Sequence, residues 1–274
     1  MNGRPEKLVS LKHAGKTYLF RDAWDYWAYA EVVLANVYWP FALKEDDVVI
    51  DLGANIGLFT IHISDRVKKV IAVEPEPSNF RVLERAVKDN SLKNVTLFNM
   101  AVSDKMEIVK IDGLSSLAKI SEKGQPVQSD SLDAILERDD CKEVNVIKMD
   151  IEGYEAKVLK AFHHWKAIRE MIIEVHSSEI RNEISELLTG NGFVIKDITD
   201  VDYSRIRRNI TSHFGSFLAG EFKNSFFLTR KYLRYVFKIG PPGTRPKPGT
   251  GGASSGTGVL HAINTNFVPA RAAG

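Results

Sequence analysis

The 274-residue sequence predicts an α/β fold in which a mostly parallel, doubly wound sheet carries helices on both faces and is closed by an antiparallel strand. Three observations carry this expectation. Short apolar runs rich in Val and Ile recur at 48–50, 70–73, 95–98, 144–149, 171–175, 193–198 and 225–229, which gives seven strands. Stretches with apolar residues at helical spacing lie between several of them, as parallel pairing requires of a chain that alternates strand and helix. Polar clusters end four of these runs, at Asp51, Glu74, Asp150 and Glu174-Val175-His176, and a doubly wound sheet presents the carboxyl ends of its strands to one crevice.

Composition limits what such a fold can be. With 44% apolar residues the chain can bury a full core, most plainly as one main domain with additions. No apolar signal core opens it and no segment reaches bilayer-spanning length, so a cytoplasmic location is expected. The single cysteine, Cys141, excludes an internal disulfide and a cysteine cluster for zinc. The net charge of +2 hides an asymmetry: from Tyr203 onward there are 11 bases and one acid, a charge of +10, which leaves 26 bases and 34 acids, a charge of −8, before it. A basic end of this kind suits an acidic partner, nucleic acid or an anionic membrane surface. A solvated basic edge is favoured, because no aromatic-basic nucleic-acid motif accompanies it.

In chain order, residues 8–20 alternate about Gly15-Lys16 and predict a small hairpin. Trp24, Trp27, Ala28, Val32, Leu34 and Val37 then recur near helical spacing, so one or two amphipathic helices precede the central strand, with core packing favoured over a lid role. The strand at 48–50 closes on Asp51, glycines follow at Gly53 and Gly57, and Leu58, Phe59, Ile61 and Ile63 begin a helix. Glycines in such a turn let backbone approach a ligand, and the helix start offers unpaired N–H groups. The spacing Asp-x-Gly-x-x-x-Gly lacks the Gly-x-Gly-x-x-Gly that seats a dinucleotide pyrophosphate. It suits a ligand without phosphate, S-adenosylmethionine.

About twenty residues past that turn, Glu74 stands where a carboxylate accepts hydrogen bonds from ribose hydroxyls. Ser78 is placed to cap the following helix, whose Phe80, Leu83, Ala86 and Val87 line one face. The third strand runs into 99–104, a stretch expected to flank an adenine ring; 105–126, with Gly113 and Gly124, reads as an irregular excursion or a hairpin and 132–136 as a short helix. The fourth strand ends in Lys148-Met149-Asp150-Ile151-Glu152-Gly153-Tyr154-Glu155. Three carboxylates in six positions repel one another unless they serve a ligand, a metal or solvent. Asp150 is assigned to the site, whereas Glu155 and in part Glu152 also suit a helix N-terminus. For a divalent ion on Asp150 and Glu152 the spacing yields no firm ligand set. His176, with an ordinary pKa of about 6.5, is a candidate proton acceptor at the crevice mouth, set against a positional role.

With these pieces in place, the sequence resembles the FkbM-like family of class I S-adenosylmethionine-dependent methyltransferases. The resemblance covers about 48–230 and is carried by Val49 through Gly57, Val73-Glu74-Pro75, Ala101-Val102-Ser103-Asp104, Ile147 through Glu155, and Ile173-Glu174-Val175-His176. It implies a Rossmann-like class I methyltransferase fold, with Asp51 and Gly53 at the methionine end of the cofactor, Glu74 at the ribose, and Ala101 and Val102 at the adenine. Asn55, Gly57 and Asp150 complete the expected cofactor contacts, and Asp150, His176 and Glu152 the expected catalytic set. The implied activity is O-methylation of a hydroxyl on a saccharide or other small molecule, with S-adenosylhomocysteine as product. The absence of an Asn-Pro-Pro-Tyr or Asp-Pro-Pro-Tyr run disfavours transfer to base nitrogens.

The expected organisation is a hairpin and helical lid region at 1–47, a cofactor-binding domain at 48–238 and a Gly/Pro/Ser-rich flexible tail at 239–274, in which 240–258 is the linker and 259–274 is either a short docking segment or unrelated sequence. Apolar residues among bases at 231–238 suit the domain edge better than a membrane surface. Two rivals accompany the small-molecule activity: an RNA methyltransferase that uses the basic end, and a binding module that has lost the chemistry.

Overall fold

The computed structural model describes residues 8–34, 36, 38, 41–112, 119–121, 124–198 and 257–269. Its centre is β3 (Val48–Leu52), buried at all five positions and paired in parallel with β4 (Lys69–Val73) on one side and β10 (Val146–Met149) on the other. β5 (Val95–Phe98) extends the sheet in parallel beyond β4, and β11 (Glu170–His176) does so beyond β10. Side chains of successive strand residues alternate between faces, so each strand feeds two cores. Val48, Ile50, Leu52, Ile147, Met149, Ile173 and Val175 pack with α4 (Leu132–Leu136), α5 (Glu155–Lys160) and α6 (Ser178–Gly190). Val49, Val70, Val146 and Ile172 face the other way, onto Tyr38, Phe41 and the Phe59 and Ile63 side chains of α2 (Leu58–Ile63). On that second face α3 (Pro77–Asp89) brings Leu83 against Ala72.

The sheet closes differently from the sequence expectation. The stretch 225–229 lies outside the described residues, and β13 (Thr257–Asn264), from the segment read as flexible tail, inserts between β11 and β12 (Phe193–Asp197), antiparallel to both. It pairs with every residue of β11, and Val259, Leu260 and Ala262 are buried. Its polar residues also answer buried groups: His261 Nε2 lies 2.7 Å from Glu170 Oε1, and Asn264 Nδ2 donates to the carbonyls of Trp165 at 2.9 Å and Ile168 at 2.8 Å. The seven-stranded order is therefore β12-β13-β11-β10-β3-β4-β5, with β13 the antiparallel member.

The N-terminal hairpin forms as expected, β1 (Val9–His13) against β2 (Lys16–Phe20), with Ala14 and Gly15 both at positive φ in a two-residue turn. Asn90 fixes it to the end of α3, accepting from Thr17 N and donating to Thr17 O, each at 2.7 Å. The helix α1 (Ala23–Tyr29) passes directly into a π-turn, Ala30–Leu34. The expected face is largely kept: Leu34 is buried and Ala28 and Val32 pack against the same core, whereas Trp24 is 43% exposed. Tyr26, Tyr29, Ala30 and Val33 join Leu34 in that core, packed with Tyr18, Phe20 and residues of α2 and α3. Asp25 is buried as well, and the Arg21 guanidinium grips its two oxygens at 2.9 Å each.

The excursion at 105–126 contains more strand than its composition suggests. β6 (Ala101–Ser103), β7 (Glu107–Asp112), β8 (Lys119–Ser121) and β9 (Gln125–Ser131) form a small second sheet, in which β9 joins β6 in parallel and β7 in antiparallel fashion. The cap of α3 also differs: Glu76, not Ser78, accepts from Asn79 N at 2.6 Å, with Pro77 at the first helical position. The basic region 203–238 lies outside the described residues. Among the described residues no helix is long and apolar enough to cross a membrane.

Candidate active site

The period of two that builds the cores also builds the site. Asp51 shares a face with Val49, and the register places Lys148 beside Asp51 and Ile172 beside Lys148. Glu174, two residues past Ile172, therefore joins Asp51 and Lys148 on one face at the carboxyl ends of three neighbouring strands. Lys148, 4% exposed, donates to Gly53 O at 2.9 Å and lies 3.1 Å from Asp51 Oδ1 and 3.9 Å from Asp150 Oδ2. Thr60 donates to Asp51 Oδ2 at 2.7 Å, so one strand-end acid binds both the next helix and the neighbouring strand. Although burial opposes its charge, Lys148 is held above the ordinary lysine range by Asp51 and Asp150. Tyr38 covers this group: its ring centroid is 5.7 Å from Lys148 Nζ, and its hydroxyl donates to Glu174 Oε2 at 3.3 Å.

The glycines of the first turn serve the chain itself. Gly53 has φ +76°, and a Cβ there would lie 1.8 Å from the Asp150 carbonyl oxygen; Gly57 has φ +86°, and a Cβ there would lie 2.5 Å from Leu83. Both positions therefore require glycine for contacts within the protein, in addition to the ligand approach that the sequence suggested. The turn is pinned to β4 by Gly53 N and Ala54 N, which both donate to Val73 O at 3.0 Å.

Glu74 lies at the end of β4, directly beside this turn. Its Oε2 accepts from Asn55 N at 2.7 Å, and its Oε1 accepts from Glu76 N at 2.9 Å and Asn79 Nδ2 at 3.2 Å. Burial pushes its pKa up to about 7, against the hydrogen bonds that favour the carboxylate. Asn55, at φ +52°, keeps its side-chain Oδ1 buried without a hydrogen-bond partner. Ala101 and Val102 are buried in β6, and the loop before them is tied to the Glu74 turn by Asn99 Nδ2, which donates to Glu74 O at 2.8 Å.

Across the same edge, His176 Nε2 stands 3.5 Å from Asp150 Oδ1 and 3.3 Å from Glu155 Oε1. Glu155 is fully buried and its Oε1 also accepts from Ile151 N at 3.0 Å and Gly153 N at 3.2 Å, so it organises the start of α5 as the sequence suggested. It does more than that, because it supplies a second carboxylate at His176. Glu152 lies in the turn between β10 and α5, at φ +56°. Burial disfavours an imidazolium, yet Asp150 and Glu155 outweigh it and lift His176 to about 11. Asp150 is correspondingly held below the ordinary carboxylate range, and its charge, together with burial, pushes Glu174 up to about 8.

Of the residues expected from sequence, the structure thus brings Asp51, Gly53, Asn55, Glu74, Asp150 and His176 to one sheet edge. Gly57 lies behind that edge, against α3. The groups that sequence reasoning left without a site role are Tyr38, Thr60, Lys148, Glu155 and Glu174. For Lys148 and Glu174 a signal exists: Lys148 is the one charged residue of β10, Glu174 interrupts the apolar run 171–175, and strand parity puts both on the face of Asp51.

An open sheet of this order, parallel but for β13, with its polar crevice at the carboxyl ends of β3, β4, β10 and β11, is the class I methyltransferase architecture. Residues 51–204 match the Methyltransferase FkbM domain, and the chain belongs to that family of methyltransferases. It is 28% identical over 153 residues to the hexuronic acid methyltransferase AglP of Haloferax volcanii, covering 53% of this chain and 63% of that protein. To the 31-O-demethyl-FK506 methyltransferase FkbM of Streptomyces tacrolimicus it is 27% identical over 195 residues, covering 56% and 75%. Among solved structures, the methyltransferase FkbM of Methylobacillus flagellatus aligns with a TM-score of 0.48 at 17% identity, over 64% of this chain and 46% of that one.

Proposed function

We propose that the protein is an S-adenosylmethionine-dependent O-methyltransferase that acts on a hydroxyl of a saccharide or another small molecule. The observation that carries this reading is the convergence, on one sheet edge, of a buried carboxylate beside a glycine turn (Glu74) and a separate acid-histidine cluster (Asp150, Glu155, His176). The names of the Haloferax and Streptomyces relatives, one acting on a hexuronic acid and one on a 31-O position, favour oxygen as the acceptor atom.

The residues fit the cofactor. Glu74 is a buried carboxylate whose Oε2 accepts one hydrogen bond and so keeps acceptor capacity for a hydroxyl donor, and the unpartnered Asn55 Oδ1 next to it seeks a donor. In this reading Glu74 holds the ribose, Asp51 and Gly53 border the methionine end, and Ala101 and Val102 border the base. The bound sulfonium supplies an activated methyl group, so the protein's work is alignment of the acceptor and exclusion of water. The acceptor oxygen forms the new C–O bond as the C–S bond breaks, the bonding pair leaves on sulfur, and the hydroxyl proton passes to the crevice. Asp150, with a quarter of its side chain open, is the proton acceptor by position, and His176 and Lys148 hold it in place.

The test is methyl transfer from S-adenosylmethionine to a panel of hydroxylated saccharides, other hydroxylated small molecules and RNA, read by mass. A gain of one methyl on a hydroxyl compound is expected; methylation of RNA alone contradicts the acceptor assignment.

A further inference from the structure

We infer that Asp150, Glu155 and His176 form a binding site for one divalent transition-metal cation of the Mn2+ or Zn2+ type. Each residue offers one ligand atom, and the three atoms lie within 4.8 Å of one another. His176 Nε2 is buried and faces both carboxylates, with Asp150 Oδ1 at 3.5 Å and Glu155 Oε1 at 3.3 Å. These are the edge lengths of a coordination polyhedron: ligands about 2.0–2.2 Å from a common cation lie about 3.0–3.5 Å from each other.

A second observation is independent of the cluster's composition. Glu155 is fully buried at the first turn of α5, and its Oε2 has no hydrogen-bond partner. A carboxylate oxygen left in this state is costly unless a ligand answers it. Oε1, the oxygen that faces His176, also accepts from the Ile151 and Gly153 amides, so the carboxylate is oriented before any cation arrives, as outer-shell hydrogen bonds orient metal ligands. Two carboxylates and one imidazole suit a first-row divalent ion better than Ca2+, which takes six to eight oxygens. Asp150 and His176 are each about a quarter exposed, which leaves the outer side of the cluster open to further ligands.

A cation here would lie where the proposed acceptor hydroxyl enters and would stabilise its oxygen as the proton leaves. That role rests on the methyltransferase reading; the binding itself does not. It is measured without turnover, by titrating the chelator-stripped full chain with Mn2+ and following the free-ion electron paramagnetic resonance signal, with Co2+ absorption as a second readout. One cation per chain is expected, with affinity lowered at least tenfold by both Glu155→Gln and His176→Gln in folded protein. Asp133→Asn, which alters the exposed His163–Asp133–His164 contact, is expected to leave binding unchanged. Absence of stoichiometric binding, binding undiminished in both cluster variants, or loss in Asp133→Asn instead would overturn the site. Binding of S-adenosylhomocysteine, measured separately, reports on the methyltransferase reading alone.

Discussion

At the scale of single residues, the site combines groups whose charges are sustained only by one another. Lys148 is enclosed by Asp51, Asp150 and the Tyr38 ring, and a buried ion with a partner removed is left uncompensated. Replacing it in Lys148→Met is expected to cost about 3–5 kcal/mol of stability, read by urea denaturation. Glu74 gives a pH signature. Its pKa of about 7 in the free protein lies above the unfolded value of about 4.3, so the folded chain binds the extra proton and Glu74's contribution to stability falls as pH rises between those values. Hydroxyl donors on the ribose favour the carboxylate, so the ligand lowers that pKa. Binding of S-adenosylhomocysteine should therefore release protons and tighten as pH rises from about 6 to about 8, as seen by calorimetry in buffers of different ionisation enthalpy. Proton uptake on binding would place Glu74 elsewhere. Glu74 and Asp150 were legible in the sequence because each ends an apolar run in an acid. Glu155 was legible only as a helix-start acid, since its approach to His176 depends on the packing of α5 against β11.

At the scale of elements, the parallel strands announced themselves through local patterns: a Val- and Ile-rich run, then a polar turn. The closing strand did not. Residues 257–264 hold the apolar Val259, Leu260, Ala262 and Ile263, but they follow a long Gly-, Pro- and Ser-rich stretch and lie far in sequence from the strands they join, so the local pattern groups them with the tail. What makes them a strand is non-local, the full ladder with β11 and the shorter one with β12. If β13 belongs to the core, Leu260→Ala should cost about 2–5 kcal/mol in urea denaturation. A substitution in an unpacked tail stays within about 0.5 kcal/mol. The helix before the central strand was legible from spacing at Ala28, Val32 and Leu34, which pack in the core, but not at Trp24, which is exposed.

At the scale of the whole molecule, one topological fact organises the function. The parallel strands deliver Asp51, Glu74, Asp150, Glu174 and His176 to a single edge, while the Tyr38 segment packs over one face of the sheet and the hairpin and α1 pack on α2 and α3. The rejection of a dinucleotide by the Asp51–Gly57 spacing agrees with family membership, and the turn's glycines are explained by the approaches to Asp150 and Leu83. The central claim is that this edge binds S-adenosylmethionine. Titration calorimetry of the full chain with S-adenosylhomocysteine tests it most directly. Saturable binding of one ligand per chain is expected, weakened at least tenfold, about 1.4 kcal/mol, in Glu74→Ala. No binding at millimolar ligand, or equal affinity in parent and variant, would contradict it.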